Sequence, residues 1–153
     1  MAEEEDDIKQ GKLWLLVDHN VQSALDTFSC QKFTGWTQFF CSIQDTSFNF
    51  FEAEPIFDPS PPLVNIPAND ATCLHISNTK TKEYSFTLDE RDGKQLNIQF
   101  NSPFWFVLVV NQKYMCISVE SFTDFVKWKK LLKTSLSKTN IVQQKIWDDE
   151  GPY

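Results

Sequence analysis

The sequence has few of the residues that build catalytic or phosphate-binding sites. Four glycines in 153 residues leave no glycine-rich loop for a phosphate, and the GxSxG, HExxH and P-loop motifs are absent. The histidines, His19 and His75, have no cysteine or carboxylate at metal-ligand spacing. These absences predict a protein that is not an enzyme, with no catalytic residue, cofactor, metal or small-molecule substrate.

Cysteine is scarce, and none of the four cysteines is paired at CxxC spacing. We expect reduced thiols, with Cys41 and Cys116 as small core residues inside strands; a disulfide is the less favoured alternative. No apolar segment follows the acidic N-terminus, so we expect neither a signal peptide nor a transmembrane span. These features together favour a cytoplasmic protein.

Basic clusters of the kind that bind nucleic acid are also missing. The formal net charge is −7, but eight of the 21 acidic residues lie in two runs, at 3–7 and 148–150. The remaining thirteen acidic residues are nearly balanced by fourteen basic residues, of which one, Arg91, is arginine. A nearly neutral body lacks the electrostatic footprint of a nucleic-acid-binding protein, so we expect no nucleic acid partner.

Strand-like segments make up most of the chain. An apolar run at Gly11–Asp18 predicts a first strand, residues 35–53 predict a hairpin, and alternation on both sides of Asp92-Gly93 predicts a second hairpin between Tyr84 and Phe100. Continuous apolar strands follow at 104–110 and 113–119. The proline-rich stretch 54–62 predicts a rigid surface loop. We divide the chain into an acidic disordered tail (1–10), one domain (11–136) and a C-terminal extension (137–153).

A single strong helix is predicted at Ser121–Leu136. Phe125, Trp128 and Leu132 fall on one stripe at helical spacing, and the lysines crowd the other side. Ser121, three residues before Asp124, is similar to the start of a capping box. We expect this stripe to cover one end of the sheet and assign Trp128, Phe125 and Leu132 as its structural hallmark residues.

The ordered set of these segments resembles the pleckstrin homology (PH) domain. The first strand, the Trp36–Glu54 segment (WTQFFCSIQDTSFNFFEAE) and the Phe104–Leu132 segment with Trp128 match the family's first strand, aromatic hairpin and closing helix. The resemblance implies a mainly β fold: a bent antiparallel barrel of about seven strands capped by one C-terminal helix. The 84–100 hairpin would be one element beyond that pattern.

A second likeness concerns the PH domains of anillin and rhotekin. Their closing helix is followed by an aliphatic stretch that ends in a tryptophan, and Ile141–Trp147 (IVQQKIW) is similar to that ending. This likeness implies a setting in the cortical cytoskeleton, with septins or Rho-family GTPases as the kind of partner.

PH domains that bind phosphoinositides use basic residues on the first two strands and the loop between them. Here Lys12, Lys32 and Lys113 are the candidates for lipid contact, and Thr37 and Gln38 stand where the family's pattern has basic residues. Adjacent phosphates need several charges and favour a guanidinium fork, so the resemblance implies at most weak contact with anionic membranes. A phosphoinositide-targeting module with a non-standard basic site stays open as the alternative function.

The remaining interpretation is an adaptor or scaffold that acts through protein contacts. Apolar groups with no obvious core role are the candidates for partner contact: Phe28, Phe33, Phe57, Ile146 and Trp147. We expect such a module to be cytoplasmic, with a cortical or membrane-peripheral position if the likeness to anillin holds.

Overall fold

The computed structural model describes residues 9–17, 35–44, 46–56, 61–80, 84–89, 95–137 and 145–148. They form one α-helix, α1 (Phe122–Ser137), a 3-10 turn at Ala68–Asp70 and ten strands. The strands are β1 (Gln10–Val17), β2 (Gly35–Gln44), β3 (Ser47–Phe51), β4 (Val64–Pro67), β5 (Ala71–Ile76), β6 (Ser85–Asp89), β7 (Gln95–Gln99), β8 (Trp105–Val110), β9 (Lys113–Ser118) and β10 (Lys145–Asp148). Nearly all of the predicted acidic tail lies outside these ranges.

The predicted mainly β architecture with a closing helix is confirmed. Seven strands form one antiparallel sheet in the order β5-β8-β9-β1-β2-β3-β4, and α1 follows the last of them in sequence. Strand β10 extends this sheet beyond β5 and runs parallel to it. Neither β5 nor β10 was predicted from the sequence. The sequence did predict the extra hairpin. Its strands, β6 and β7, form a separate two-stranded sheet in which Phe86 pairs with Ile98.

Two turns explain the tight connections within the sheet. Asn111 and Gln112 connect β8 to β9 with φ values of 50° and 66°, and Val110 pairs directly with Lys113. Positive φ at both central residues is the geometry of a type I′ turn, whose twist matches that of the strands it joins. Thr46, between β2 and β3, also has a positive φ of 58°.

The main core lies between one face of the sheet and α1. Leu13, Leu15 and Val17 alternate along β1 into this core, and Phe106 and Leu108 enter it from β8. From the helix, Phe125 and Trp128 are 1% exposed and Leu132 is 3% exposed. The predicted helical stripe is therefore the face that α1 buries, and Phe125 stacks on Phe106 with ring centroids 5.1 Å apart.

A second hydrophobic cluster occupies the opposite face of the same sheet. We call it the outer cluster; its buried members are Ile98, Phe100, Trp105, Val107 and Cys116. Leu16, Trp36, Phe86 and Tyr114 pack against them. The β6–β7 hairpin supplies Phe86 and Ile98, so the hairpin covers apolar side chains that would otherwise face water. Strand β8 is consequently buried on both faces, as its continuous apolar sequence predicted.

Candidate functional site

Helix α1 is fixed at its start by a side-chain cap and along its inner face by tryptophan. Ser121 Oγ accepts a hydrogen bond from the Asp124 backbone N–H at 3.1 Å, as the capping-box pattern predicted. Trp128 packs so close to Gly11 that a Cβ at that glycine would lie 3.4 Å from Trp128 Cζ2. Trp128 Nε1 is buried and has no hydrogen-bond partner in the part of the chain that the structure describes. Trp128 therefore acts by filling space rather than by hydrogen bonding.

The outer side of α1 exposes apolar groups among lysines. Phe122 is 56% exposed and Val126 is 49% exposed, which is unusual for large apolar side chains in a helix. They line an open groove of about 440 Å³. We call this surface the α1 groove; its lining comprises Phe122, Phe125, Val126, Lys129, Lys130, Lys133 and Thr134.

The charge of α1 is strongly one-sided. The helix carries four lysines against one acidic residue, Asp124. Lys129 Nζ lies 5.9 Å from the ring centroid of Phe125, and Lys127 Nζ lies 5.2 Å from that of Trp128. Lys127 Nζ also donates a hydrogen bond to the Gln10 backbone carbonyl at 3.1 Å. The α1 groove thus combines exposed apolar groups with positive charge, the chemistry that accepts an acidic and partly apolar ligand.

The described part of the loop edge of the sheet carries acidic side chains. Antiparallel pairing brings the end of β1, the start of β2, the end of β3 and the β8–β9 turn to this edge. Glu52 and Glu54 follow β3 and are exposed. Asp70 Oδ2 accepts a hydrogen bond from Asn111 Nδ2 in the β8–β9 turn at 3.3 Å. Negative charge on these described groups opposes the binding of phosphate.

The structure separates the lysines that the sequence grouped as a lipid site. Trp14 of β1 pairs with Ser118, the last residue of β9, so Lys12 lies beyond the C-terminal end of β9. Lys113 begins β9, about 20 Å away along the strand direction. Lys12 is exposed, Lys113 is half-buried, and Lys32 lies outside the described residues. Lipid contact by any of them stays a prediction, but Lys12 and Lys113 do not form one site.

The predicted partner-contact residues fall mostly where the structure gives no side-chain description. Phe28, Phe33 and Phe57 lie outside the described residues, and Trp147 is described through its backbone in β10. Ile146 is 38% exposed on β10. Sequence reasoning passed over Phe122 and Val126, although their i, i+4 spacing and distance from the Trp128 stripe were the signal that could have found them.

A smaller concave surface lies where the first strand meets the entry to α1. It is a cleft of about 310 Å³ lined by Trp14, Asn101, Ser102, Ser118, Val119 and Glu120. Trp14 Nε1 donates a hydrogen bond to Glu120 Oε2 at 3.0 Å. Ser102 Oγ donates to the Val119 carbonyl at 2.8 Å. Because these polar groups are satisfied by hydrogen bonds to one another, their presence in the cleft is explained by the fold itself.

Of the three described thiols, those of Cys41 and Cys116 are buried and that of Cys73 is partly buried. Burial raises the pKa of the Cys116 thiol to about 12, and burial likewise raises the pKa of Cys41 although the Lys127 ammonium lowers it in part. Cys73 Sγ lies 3.3 Å from His75 Nε2 on β5. Among the described residues there is no group of three or more His, Cys, Asp or Glu side chains that could hold a metal ion. No helix in those ranges is long and apolar enough to cross a membrane.

Comparison with solved structures gives matches that cover most of the chain. One, from a systematic screen for protein–lipid interactions in Saccharomyces cerevisiae, has a TM-score of 0.52 at 13% identity and covers 86% of this chain and 97% of that one. The N-terminal PH domain of human ARAP2 has a TM-score of 0.48 at 12% identity, with 94% and 90% covered. The C-terminal PH domain of pleckstrin, in complex with an inositol pentakisphosphate, has a TM-score of 0.46 at 11% identity, with 84% and 96% covered.

This chain has the PH fold. Its seven-strand antiparallel sheet and its C-terminal helix are the architecture that the sequence resemblance implied. No protein-family model and no curated protein matches the chain. Because the identities are 11–13%, these likenesses concern the fold alone. The likeness to the anillin and rhotekin PH domains stays a prediction.

Proposed function

We propose that this protein is a non-catalytic, cytoplasmic PH-fold adaptor that binds an acidic, partly apolar segment of a protein partner in the α1 groove. The observation that carries the proposal is the exposure of Phe122 and Val126 beside Lys129, Lys130 and Lys133. Apolar anchors supply affinity once they are desolvated, and the lysines select acidic partners and speed the encounter. The exposed acidic side chains in the described part of the loop edge, Glu52 and Glu54, support this assignment because negative charge disfavours phosphate binding there.

The groove is tested by affinity capture from cell extract with four forms of the protein. Wild type is compared with the double variant Phe122→Ser/Val126→Ser and with the charge reversal Lys129→Glu/Lys133→Glu. Because both apolar side chains are about half exposed, the serine variant should keep its circular dichroism spectrum and lose the bound partner. Lys80→Glu changes an exposed lysine after β5 and is the charge control. Partners that bind all four forms equally would refute a protein site on α1.

Membrane binding is measured in parallel by sedimentation with liposomes that carry individual phosphoinositides. At about 0.15 M salt, where charge attraction is screened beyond about 8 Å, we expect no pelleting that depends on the head group. Weak pelleting that follows total negative charge, and that Lys129→Glu/Lys133→Glu removes, is consistent with a minor contact of the α1 lysines with anionic lipid. Strong pelleting selective for one head group would overturn the proposal.

A second candidate function is phosphoinositide-dependent membrane targeting. It is favoured by the Saccharomyces cerevisiae structure with a TM-score of 0.52, which comes from a screen for protein–lipid interactions. Such a site would use Lys12, Lys32 or Lys113. If it operates, Lys12→Glu/Lys32→Glu abolishes recruitment to phosphoinositide liposomes and leaves capture by the α1 groove unchanged. If the adaptor function operates instead, these substitutions leave capture of the partner intact.

A further inference from the structure

Strand β10 occupies an unusual position in the sheet. It follows the helix that closes the fold, and residues 138–144 join it to α1. It pairs in parallel with β5, with Lys145 opposite Cys73 and Asp148 opposite Ile76. Every other strand pair in the described part of the chain is antiparallel. The chain therefore returns after completing its antiparallel fold and adds a strand to the edge that β5 would otherwise leave open.

The two hydrophobic clusters of the described residues are built from positions 13–136, before β10 begins. Ile146, whose side chain is the one described on β10, is 38% exposed. A strand of four residues makes few backbone hydrogen bonds with its neighbour, and each adds little net stability because it replaces a hydrogen bond to water. Pairing of this extent can be lost while the two described clusters stay in place.

We propose that the edge of β5 is a docking site for an extended segment of a protein partner and that β10 occupies this site in cis. Edge strands present unpaired N–H and C=O groups that accept an added strand, a recurring mode of peptide recognition. The residues of β10, Lys-Ile-Trp-Asp, show the kind of segment that the edge accepts: extended, apolar and aromatic in its centre, with charged residues on both sides. The inference deepens the proposed function by naming a second kind of partner segment.

Occupation by β10 regulates access to the site. A connection of seven residues holds β10 near the edge at an effective concentration on the order of 1 mM, so a partner segment must compete with it. If β10 is paired for nine-tenths of the time, the apparent affinity of a competing segment falls about tenfold. Release of β10 should therefore increase peptide binding by roughly this factor.

The test uses a fluorescent synthetic peptide of residues 139–150 and the full-length protein, with binding measured by fluorescence anisotropy. Ile146→Pro removes a strand donor from β10 and disfavours pairing, so it should raise the affinity for the peptide by about tenfold. Lys145→Cys places a cysteine opposite the native Cys73 at a spacing that a disulfide can bridge. Oxidation of this variant should lock β10 in place and abolish peptide binding, and reduction should restore it.

The matched control for the lock is Cys73→Ala/Lys145→Cys, which has no disulfide partner on β5 and should bind the peptide whether or not oxidant is added. Mass spectrometry of the oxidised single variant verifies the 73–145 bond. Equal peptide affinity in the locked, wild-type and proline forms would overturn the proposal. A dimer that forms at the concentrations of the assay and dissociates with Ile146→Pro would overturn it as well, because a second copy would then be the occupant.

This experiment separates the inference from the proposed function. The variant Phe122→Ser/Val126→Ser changes α1 and leaves the β5 edge intact, so it should bind the peptide as wild type does. If the peptide binds no form while capture by the α1 groove persists, the β5 proposal fails and the adaptor function stands. If no partner is captured through the α1 groove but the disulfide lock controls peptide binding, the adaptor function fails and the β5 proposal stands.

Discussion

The buried indole of Trp128 allows the packing and hydrogen-bonding roles of a core tryptophan to be separated. Trp128 is 1% exposed, and its Nε1 has no hydrogen-bond partner among the described residues. Trp128→Ala removes the whole ring and leaves a cavity beneath α1. Substitutions of this type cost about 3–5 kcal/mol, so the variant should lose most of the stability of a domain of ordinary stability.

Trp128→Phe should be far less damaging. Phenylalanine is smaller than tryptophan by roughly 40 Å³, which costs about 1 kcal/mol at 24 cal/mol per Å³ of cavity. The substitution also removes a buried N–H group without a partner, whose burial costs about 1–3 kcal/mol. The two changes offset each other, and we expect the free energy of unfolding of Trp128→Phe to lie within about 1 kcal/mol of the wild-type value.

The assay is urea unfolding followed by far-ultraviolet circular dichroism at 25 °C, with the free energy of unfolding extrapolated linearly to water. Val126→Ala, at a half-exposed position of the same helix, is the control and should change stability by less than about 0.5 kcal/mol. A loss of 3 kcal/mol or more in Trp128→Phe would refute the argument, because it would mean that the indole N–H makes a stabilising bond.

Three further predictions concern a turn, two thiols and the inserted hairpin. Gln112→Gly should raise the free energy of unfolding by about 1 kcal/mol in urea titrations, because glycine adopts the observed φ of 66° without strain. The free energy of unfolding should fall from about pH 9 upward, because Cys41 and Cys116 ionise in the unfolded chain near their ordinary pKa of 9.0. In the folded protein burial keeps both thiols protonated to higher pH, and the pKa of Cys116 is about 12. Trp36→Ala removes the contact with Phe100 and the Nε1 bond to the Gln99 carbonyl, so hydrogen exchange in β6 and β7 should accelerate with little change at β1.

The first two of these predictions have matched control variants, and the third has an outcome that contradicts it. Asn111→Gly also relieves a positive φ but removes the Asn111 Nδ2 bond to Asp70, so it should gain less than Gln112→Gly, and an equal gain would contradict the turn argument. The variant Cys41→Ala/Cys116→Ala should lose part of the alkaline fall in stability, and an unchanged pH profile would exclude the thiols as its cause. Uniform acceleration of exchange after Trp36→Ala would show that the hairpin does not open separately.

The parts of the fold predicted from the sequence are those with a strong local pattern. The α1 stripe, its Ser121 cap and the 84–100 hairpin depend on periodicity and on neighbouring residues, so the chain alone predicts them. Strand β5 was missed because Ala71–Ile76 (ATCLHI) is short and mixes polar with apolar residues, and its place in the sheet depends on pairing with β8. Strand β10 was missed for the same reason, since Lys145–Asp148 becomes a strand by pairing with β5.

The candidate site was predicted less completely than the fold. The lysines of α1 were evident in the sequence, but the exposure of Phe122 and Val126 depends on where the helix meets the sheet. Lys12 and Lys113 lie far apart along their strands for a related reason, because residues on neighbouring strands can lie at opposite ends once the register is fixed. Proximity between distant parts of a chain follows from register and packing, which one sequence does not specify.

The outer cluster has a consequence for engineering this domain. The β6–β7 hairpin is an insertion relative to the seven-strand pattern, and it covers Trp105, Val107 and Cys116 on the second face of the sheet. A shortened chain without residues 84–100 would retain the main core beneath α1 but present an apolar, aromatic sheet surface to water, which is an aggregation hazard. Any minimal version of this domain must therefore replace these three residues with polar ones, or keep the hairpin as part of the smallest soluble unit.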